Sequence, residues 1–166
     1  MVRLYRTIGG VTEYWEAWIT ATDVTIHWGR LGEQGESREM PHEAGLHPSK
    51  IIEREAKPIR AAGFKPIKTK DLHSVVIQYE VIEHGTVKDH DRRAQVEERM
   101  NECLGWCGLG HCDGGDMGSG QMNVFCRVAD AAIAEQVIVS DLREHELLEG
   151  AIIAQMIGDE AKVLWP

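Results

Sequence analysis

The chain has 166 residues, 43% hydrophobic and 27% charged, with a formal net charge of -9; these are ordinary values for a globular protein, and no apolar run approaches the roughly 20 residues that cross a bilayer as a helix. The length suits two small units better than one large core. The charge divides the same way: residues 1–70 hold 11 Lys/Arg against 9 Asp/Glu, and residues 71–166 hold 7 against 18, which speaks against a protein that coats nucleic acid and gives the second half an acidic surface suited to a basic protein partner.

Met1 to Arg6 lacks the apolar stretch of a signal peptide, which predicts a cytoplasmic protein with its four cysteines as reduced thiols. Residues 12–20 and 23–31 are rich in aromatic and β-branched side chains and are separated by Ala21-Thr22 and the turn-favouring Asp23, predicting two antiparallel strands. Gly32, Gln34 and Gly35 supply a tight turn before a further strand over Glu36 to Met40. Pro48-Ser49 then opens a helix over 50–57, with Ser49 as N-cap and Ile51, Ile52 and Ala56 as its buried stripe. Pro58 predicts a stop or kink near Lys57. The basic, proline-containing stretch Phe64 to Asp71 reads as a linker, dividing the chain into domains 1–70 and 71–166.

In the second half, Ser74 to Ile82 alternates Val75, Ile77, Tyr79 and Val81, a strand that ends by Gly85. Lys88 to Leu104 places Val96, Met100, Cys103 and Leu104 on one helical face. Gly105 to Asp113 and Gln121 to Val128 read as two strands joined by a glycine-rich loop over 114–120. Asp130 caps a second helix marked by Ile133, Val137 and Ile138; Gly150 to Ile157 is a last strand, and Glu160 to Pro166 an extra strand or docked tail. The order βαββαβ predicts a ferredoxin-like sandwich, so the whole chain is of the α+β class: an antiparallel sheet with one helix, then a second antiparallel sheet with two.

Three groups of residues in the first half carry a family resemblance. They are Trp15-Glu16-Ala17-Trp18-Ile19, then Trp28-Gly29-Arg30-Leu31-Gly32-Glu33-Gln34-Gly35, and finally Glu55-Ala56-Lys57 with Ala62-Gly63-Phe64. Together they resemble the WGR domain, named for its Trp-Gly-Arg tripeptide, which is followed by a glycine-closed turn and a helix running into Gly-Tyr or Gly-Phe. Such domains occur in DNA-dependent poly(ADP-ribose) polymerases, where they contact broken DNA ends and neighbouring domains, and in bacterial proteins related to molybdate-metabolism regulators. The resemblance implies a binding role: Trp28 packs against a terminal sugar or base, Gly29 and Arg30 complete the motif, and Arg30 contacts phosphate or a neighbouring domain. Arg38, Lys50, Arg54, Lys57 and Arg60 are the supporting basic residues. Strand alternation leaves a second role open for Trp28, because it shares a face with Val24 and Ile26 and so reads equally as core. The basic residues of the helix also alternate with Glu53 and Glu55, the pattern of a solvated face. The stretch His111 to Phe125 is similar to small bacterial ferredoxin-like domains of unassigned role.

Catalytic and metal chemistry find little support. Cys103, Cys107, His111 and Cys112 are zinc-type ligands, but on a strand over 105–113 Cys107 and His111 stand roughly 13 Å apart and Cys112 points the other way. The 114–120 loop feeds a strand, whereas phosphate cradles feed a helix N-terminus, and Asp113 and Asp116 repel phosphate. Neither a metal nor a cofactor is expected, and the chain reads as a non-enzymatic adaptor that binds DNA, a protein partner, or both. The alternative is an immunity or antitoxin-like protein with no nucleic-acid role, which covers a basic enzyme site with its acidic half.

Overall fold

A computed structural model describes all 166 residues, Met1–Pro166. It is α+β, with two antiparallel sheets and three α-helices. No helix is long and apolar enough to cross a membrane.

The first sheet is a meander of β1 (Val2–Ile8), β2 (Val11–Ile19), β3 (Asp23–Arg30) and β4 (Glu36–Pro41), hydrogen-bonded in that order. Strand alternation gives it two faces of different character. Leu4, Trp15, Ala17, Val24 and Ile26 are buried beneath Ile51, Ile52 and Ala56 of α1 (Pro48–Ala61). Tyr5, Tyr14, Glu16, Thr25 and His27 point the other way and are also buried. The sequence reading did not anticipate β1. Its apolar positions Val2 and Leu4 share a face with Arg6 and alternate with Arg3 over too short a span to stand out, yet β1 pairs with β2 along its whole length, from Val2↔Ala17 to Ile8↔Val11.

Helix α1 departs from expectation at both ends. Its N-cap is His47, whose side chain accepts from Ser49 N–H at 3.3 Å, so Ser49 is inside the helix. The helix also continues through Pro58 to Ala61. Pro58 lies on the exposed side of the helix, where the Arg54 carbonyl that loses its donor remains within reach of water. The chain then returns to the first sheet, where Lys65 and Tyr5 exchange two backbone hydrogen bonds of 2.8 Å.

The second sheet comprises β5 (His73–Glu80), β6 (Gly110–Gly118), β7 (Gln121–Val128), β8 (Ile152–Ile157) and β9 (Glu160–Trp165), in the order β6-β7-β5-β8-β9. Helices α2 (Val87–Trp106) and α3 (Ala131–Glu144) bury Val96, Met100, Leu104, Ala134, Ile138 and Leu142 against Val75, Ile77, Met122, Val124 and Ile153. This is the βαββαβ arrangement expected, with β9 as an added edge strand. Asp130 caps α3 as expected, accepting from the N–H groups of Ala132 and Ile133 at 2.9 Å. Two boundaries are corrected. Cys107 follows the end of α2 and is not on a strand, and most of the glycine-rich stretch belongs to β6. Glycine serves there for close approach: a Cβ on Gly110 would lie 1.9 Å from the Arg127 carbonyl oxygen, and one on Gly115 2.5 Å from that of Asn123. The turn shrinks to Ser119-Gly120, both at positive φ, as a tight hairpin requires.

The two sheet units share a core. Tyr5, Tyr14 and Leu31 of the first belong to the same buried cluster as the interior of the second. The turn after Trp28-Gly29-Arg30 is the docking element. Gly32 N–H donates to the Cys107 carbonyl at 3.0 Å and Gly35 N–H to that of Trp106 at 3.3 Å, while Tyr5 Oη donates to the Gly108 carbonyl at 3.0 Å. Carbonyls at a helix end lack intrahelical donors, so the first unit supplies the C-terminal cap of α2. Gly32 has φ 87°, and a Cβ on it would stand 2.3 Å from Ile133 Cγ2.

Candidate functional site

Helix α1 covers only part of its face of the first sheet. Beyond Ile59 a cleft of about 370 Å³ remains, lined by Arg6, Glu13, Trp15, Trp28, Arg38 and Phe64 among others. Register explains the grouping: Arg6 opposes Glu13, Trp15 opposes Trp28 and Ile26 opposes Arg38, placing these side chains in adjacent rows on one face. Trp28 packs partly against the smaller core and also forms a wall of the cleft, so one part of the side chain serves the core and another faces the hollow. Arg6 spans the rim, with its guanidinium 4.6 Å from the Phe64 ring centroid and Nη2 donating to Glu13 Oε2 at 2.6 Å. Apolar walls with cationic edges suit a planar ring that carries negative charge nearby.

Of the residues singled out from the sequence, Trp28, Gly29 and Arg38 meet in this cleft, while Arg30, Lys50, Arg54 and Lys57 do not line it. Arg30 lies in a separate groove between the units, beside Gly32, Gln136 and Ser140, and pairs with Glu33 at 3.2 Å. Lys50 pairs with Glu53 at 2.9 Å, Arg54 with Glu43 at 2.8 Å and Glu55 at 3.3 Å, and Arg38 with Glu55. Lys57 is exposed on α1. Arg6, Glu13 and Ile59 were missed because Arg6 and Glu13 enter through the β1 pairing, and Ile59 through a helix that outlasts Pro58. The signal for Ile59 was present in the sequence, since it continues the stripe of Ile52 and Ala56 at helical spacing.

The opposite face of the sheet holds a buried polar chain. Arg3 Nε donates to Glu16 Oε2 at 2.6 Å, and Glu16 Oε1 lies 2.9 Å from His27 Nδ1. His27 Nε2 lies 3.0 Å from Tyr14 Oη, which is 3.3 Å from the Trp106 carbonyl. A carboxylate, an imidazole and a hydroxyl in line have the form of a catalytic relay, but every polar atom of the imidazole is engaged. Burial, followed by the nearby Glu16 charge, pushes the Tyr14 phenol well above its ordinary pKa, which keeps it protonated and poorly nucleophilic. The chain therefore works as a polar seam between the units, with Trp18 and Trp106 packed edge-on beside it at 6.5 Å between centroids. No three His, Cys, Asp or Glu side chains converge in a metal-binding group. Comparison with known proteins finds no matching family model, no matching curated protein and no matching solved structure.

Proposed function

We propose that this chain is a non-catalytic binding adaptor of the WGR type, and that it receives the end of a nucleic acid strand in the Trp28 cleft. The observation that carries the reading is the meeting of Trp28, Phe64, Arg6 and Arg38 around one open hollow. A terminal base stacks on the indole and its phosphate meets Arg38, which is exposed enough to exchange Glu55 for it. Attraction is modest, because the other named arginines and Lys50 already have carboxylate partners.

Fluorescence anisotropy with blunt, nicked and single-stranded DNA tests this at low and moderate salt. Binding falls steeply with salt. Trp28→Ala weakens it by about tenfold or more, the scale of one lost stacking contact, and Arg38→Ala also weakens it. Arg30→Ala, outside the cleft, has a much smaller effect. Circular dichroism checks that each variant is folded. Absence of binding by the folded wild type at low salt overturns the reading.

A second reading is favoured by the same ion pairs. With its cations neutralised internally, the chain offers the acidic second unit, 7 Lys/Arg against 18 Asp/Glu, to a basic protein partner. Salt-sensitive association with a lysine-rich peptide, without DNA binding, supports that outcome.

A further inference from the structure

Cys112 of β6 and Cys126 of β7 are direct cross-strand partners. Cys112 N–H donates to Asn101 Oδ1 of α2 at 3.1 Å and not to β7, so the two cysteines do not exchange backbone hydrogen bonds. Cα atoms at such positions approach to about 4.5 Å, within the span of roughly 4.4–6.8 Å that a disulfide bridges. Both side chains point to the helix-covered face, with Cys126 fully buried and Cys112 partly open to solvent. The register shifts immediately after Cys112, between it and Gly115. Gly114 there has φ 95° with open space around it, so the edge strand can adjust while β7 stays fixed.

The four thiols differ in character. The neighbouring Cys126 side chain holds the Cys112 pKa below the usual thiol value, although burial, Glu97 and Asp113 oppose this, and the Cys112 thiol donates to the Gly114 carbonyl at 3.7 Å. Proximity to Cys112, then burial, holds Cys126 well above that value. Burial also pushes Cys103 and Cys107 up. Thiolate character and exposure, the two determinants of oxidation, therefore coincide at Cys112 alone.

We propose that Cys112 is a peroxide-reactive thiol with Cys126 as its resolving partner, the pair closing to an intramolecular disulfide across β6 and β7. The Cys112 thiolate attacks one oxygen of a hydroperoxide; the S–O bond forms, the O–O bond breaks, and the leaving oxygen departs as water or an alcohol after taking a proton. Cys112 is now a sulfenic acid. The Cys126 sulfur attacks the Cys112 sulfur, the S–S bond forms, and hydroxide leaves with the Cys126 proton as water. Two thiols are oxidised and one peroxide is reduced. The first step also removes the negative sulfur that held the proton on Cys126, which frees the resolving thiol. The neighbouring carboxylates Glu97 and Asp113 admit a neutral peroxide more readily than an anionic oxidant.

The test treats the reduced, full-length chain with a slight excess of hydrogen peroxide, alkylates the remaining thiols and maps the peptides by mass. The expected result is a linked Cys112–Cys126 peptide with Cys103 and Cys107 still alkylated, reversed by dithiothreitol. In Cys126→Ala, dimedone labels Cys112 and no internal disulfide forms; in Cys112→Ser, the rapid thiol loss disappears. The wild-type map stands even if either variant misfolds. Four intact thiols after treatment, a disulfide between other cysteines or between two chains, or dimedone spread equally over Cys103 and Cys107 would overturn the proposal.

Discussion

Tyr14 carries its hydroxyl to a point shared by both units, 3.0 Å from His27 Nε2 and 3.3 Å from the Trp106 carbonyl. Tyr14→Phe keeps the ring that packs over Gly108 but leaves His27 Nε2 buried without a partner. The expected loss of stability is about 1–3 kcal/mol, read as a lower urea midpoint at unchanged slope. An unchanged midpoint would mean that the polar seam contributes nothing. Gly35 belongs to the same point, since a Cβ on it would lie 2.0 Å from Tyr14 Oη. In the sequence this glycine reads only as a turn former; its packing duty depends on a tyrosine 21 positions earlier and on the α2 end beyond it. Trp28 is a similar case. Alternation correctly put it on the face of Val24 and Ile26, but where α1 stops determines whether that position is covered.

Helix α1 shows where local rules yield to packing. Proline costs about 3 kcal/mol relative to alanine inside a helix, and on that ground the helix was expected to stop or kink near Lys57. Burial of Ile51, Ile52 and Ala56, with Ile59 packed partly behind them, offsets that cost and carries the helix to Ala61. Pro58→Ala restores a donor to the Arg54 carbonyl at an exposed position. It is expected to raise stability by about 1 kcal/mol or more, seen as a higher melting temperature; a lower one would show that the proline contributes more by restraining the unfolded chain. Elements with strong periodicity were legible: β2, β3, β5, α2 and α3 fall where Trp15, Ile26, Ile77, Met100 and Ile138 predict them. Strand β1 was not, because a half-charged strand takes its stability from the neighbour it pairs with.

At the scale of the molecule, the two units behave as one body. The first unit buries Tyr5, Tyr14 and Leu31 in the core of the second, and its turn caps α2. A fragment of residues 1–70 would expose these side chains together with the Glu16–His27 pair. The full chain is therefore expected to unfold in a single transition, with fluorescence and circular dichroism coincident, and the 1–70 fragment to be largely unfolded or aggregated; a fragment melting independently at the temperature of the whole would contradict this. The α+β class, the order of most elements, the charge asymmetry between halves and the faces on which the large apolar residues lie are legible in the amino-acid order, because these follow from periodicity and composition within short windows. That the Trp-Gly-Arg turn docks onto α2, that Trp28 and Arg38 share a cleft without Arg30, and that Cys112 faces Cys126 emerge first in the folded chain. Each of these depends on strand register or on where one element ends against another, and contacts between distant segments leave no periodic trace in the chain.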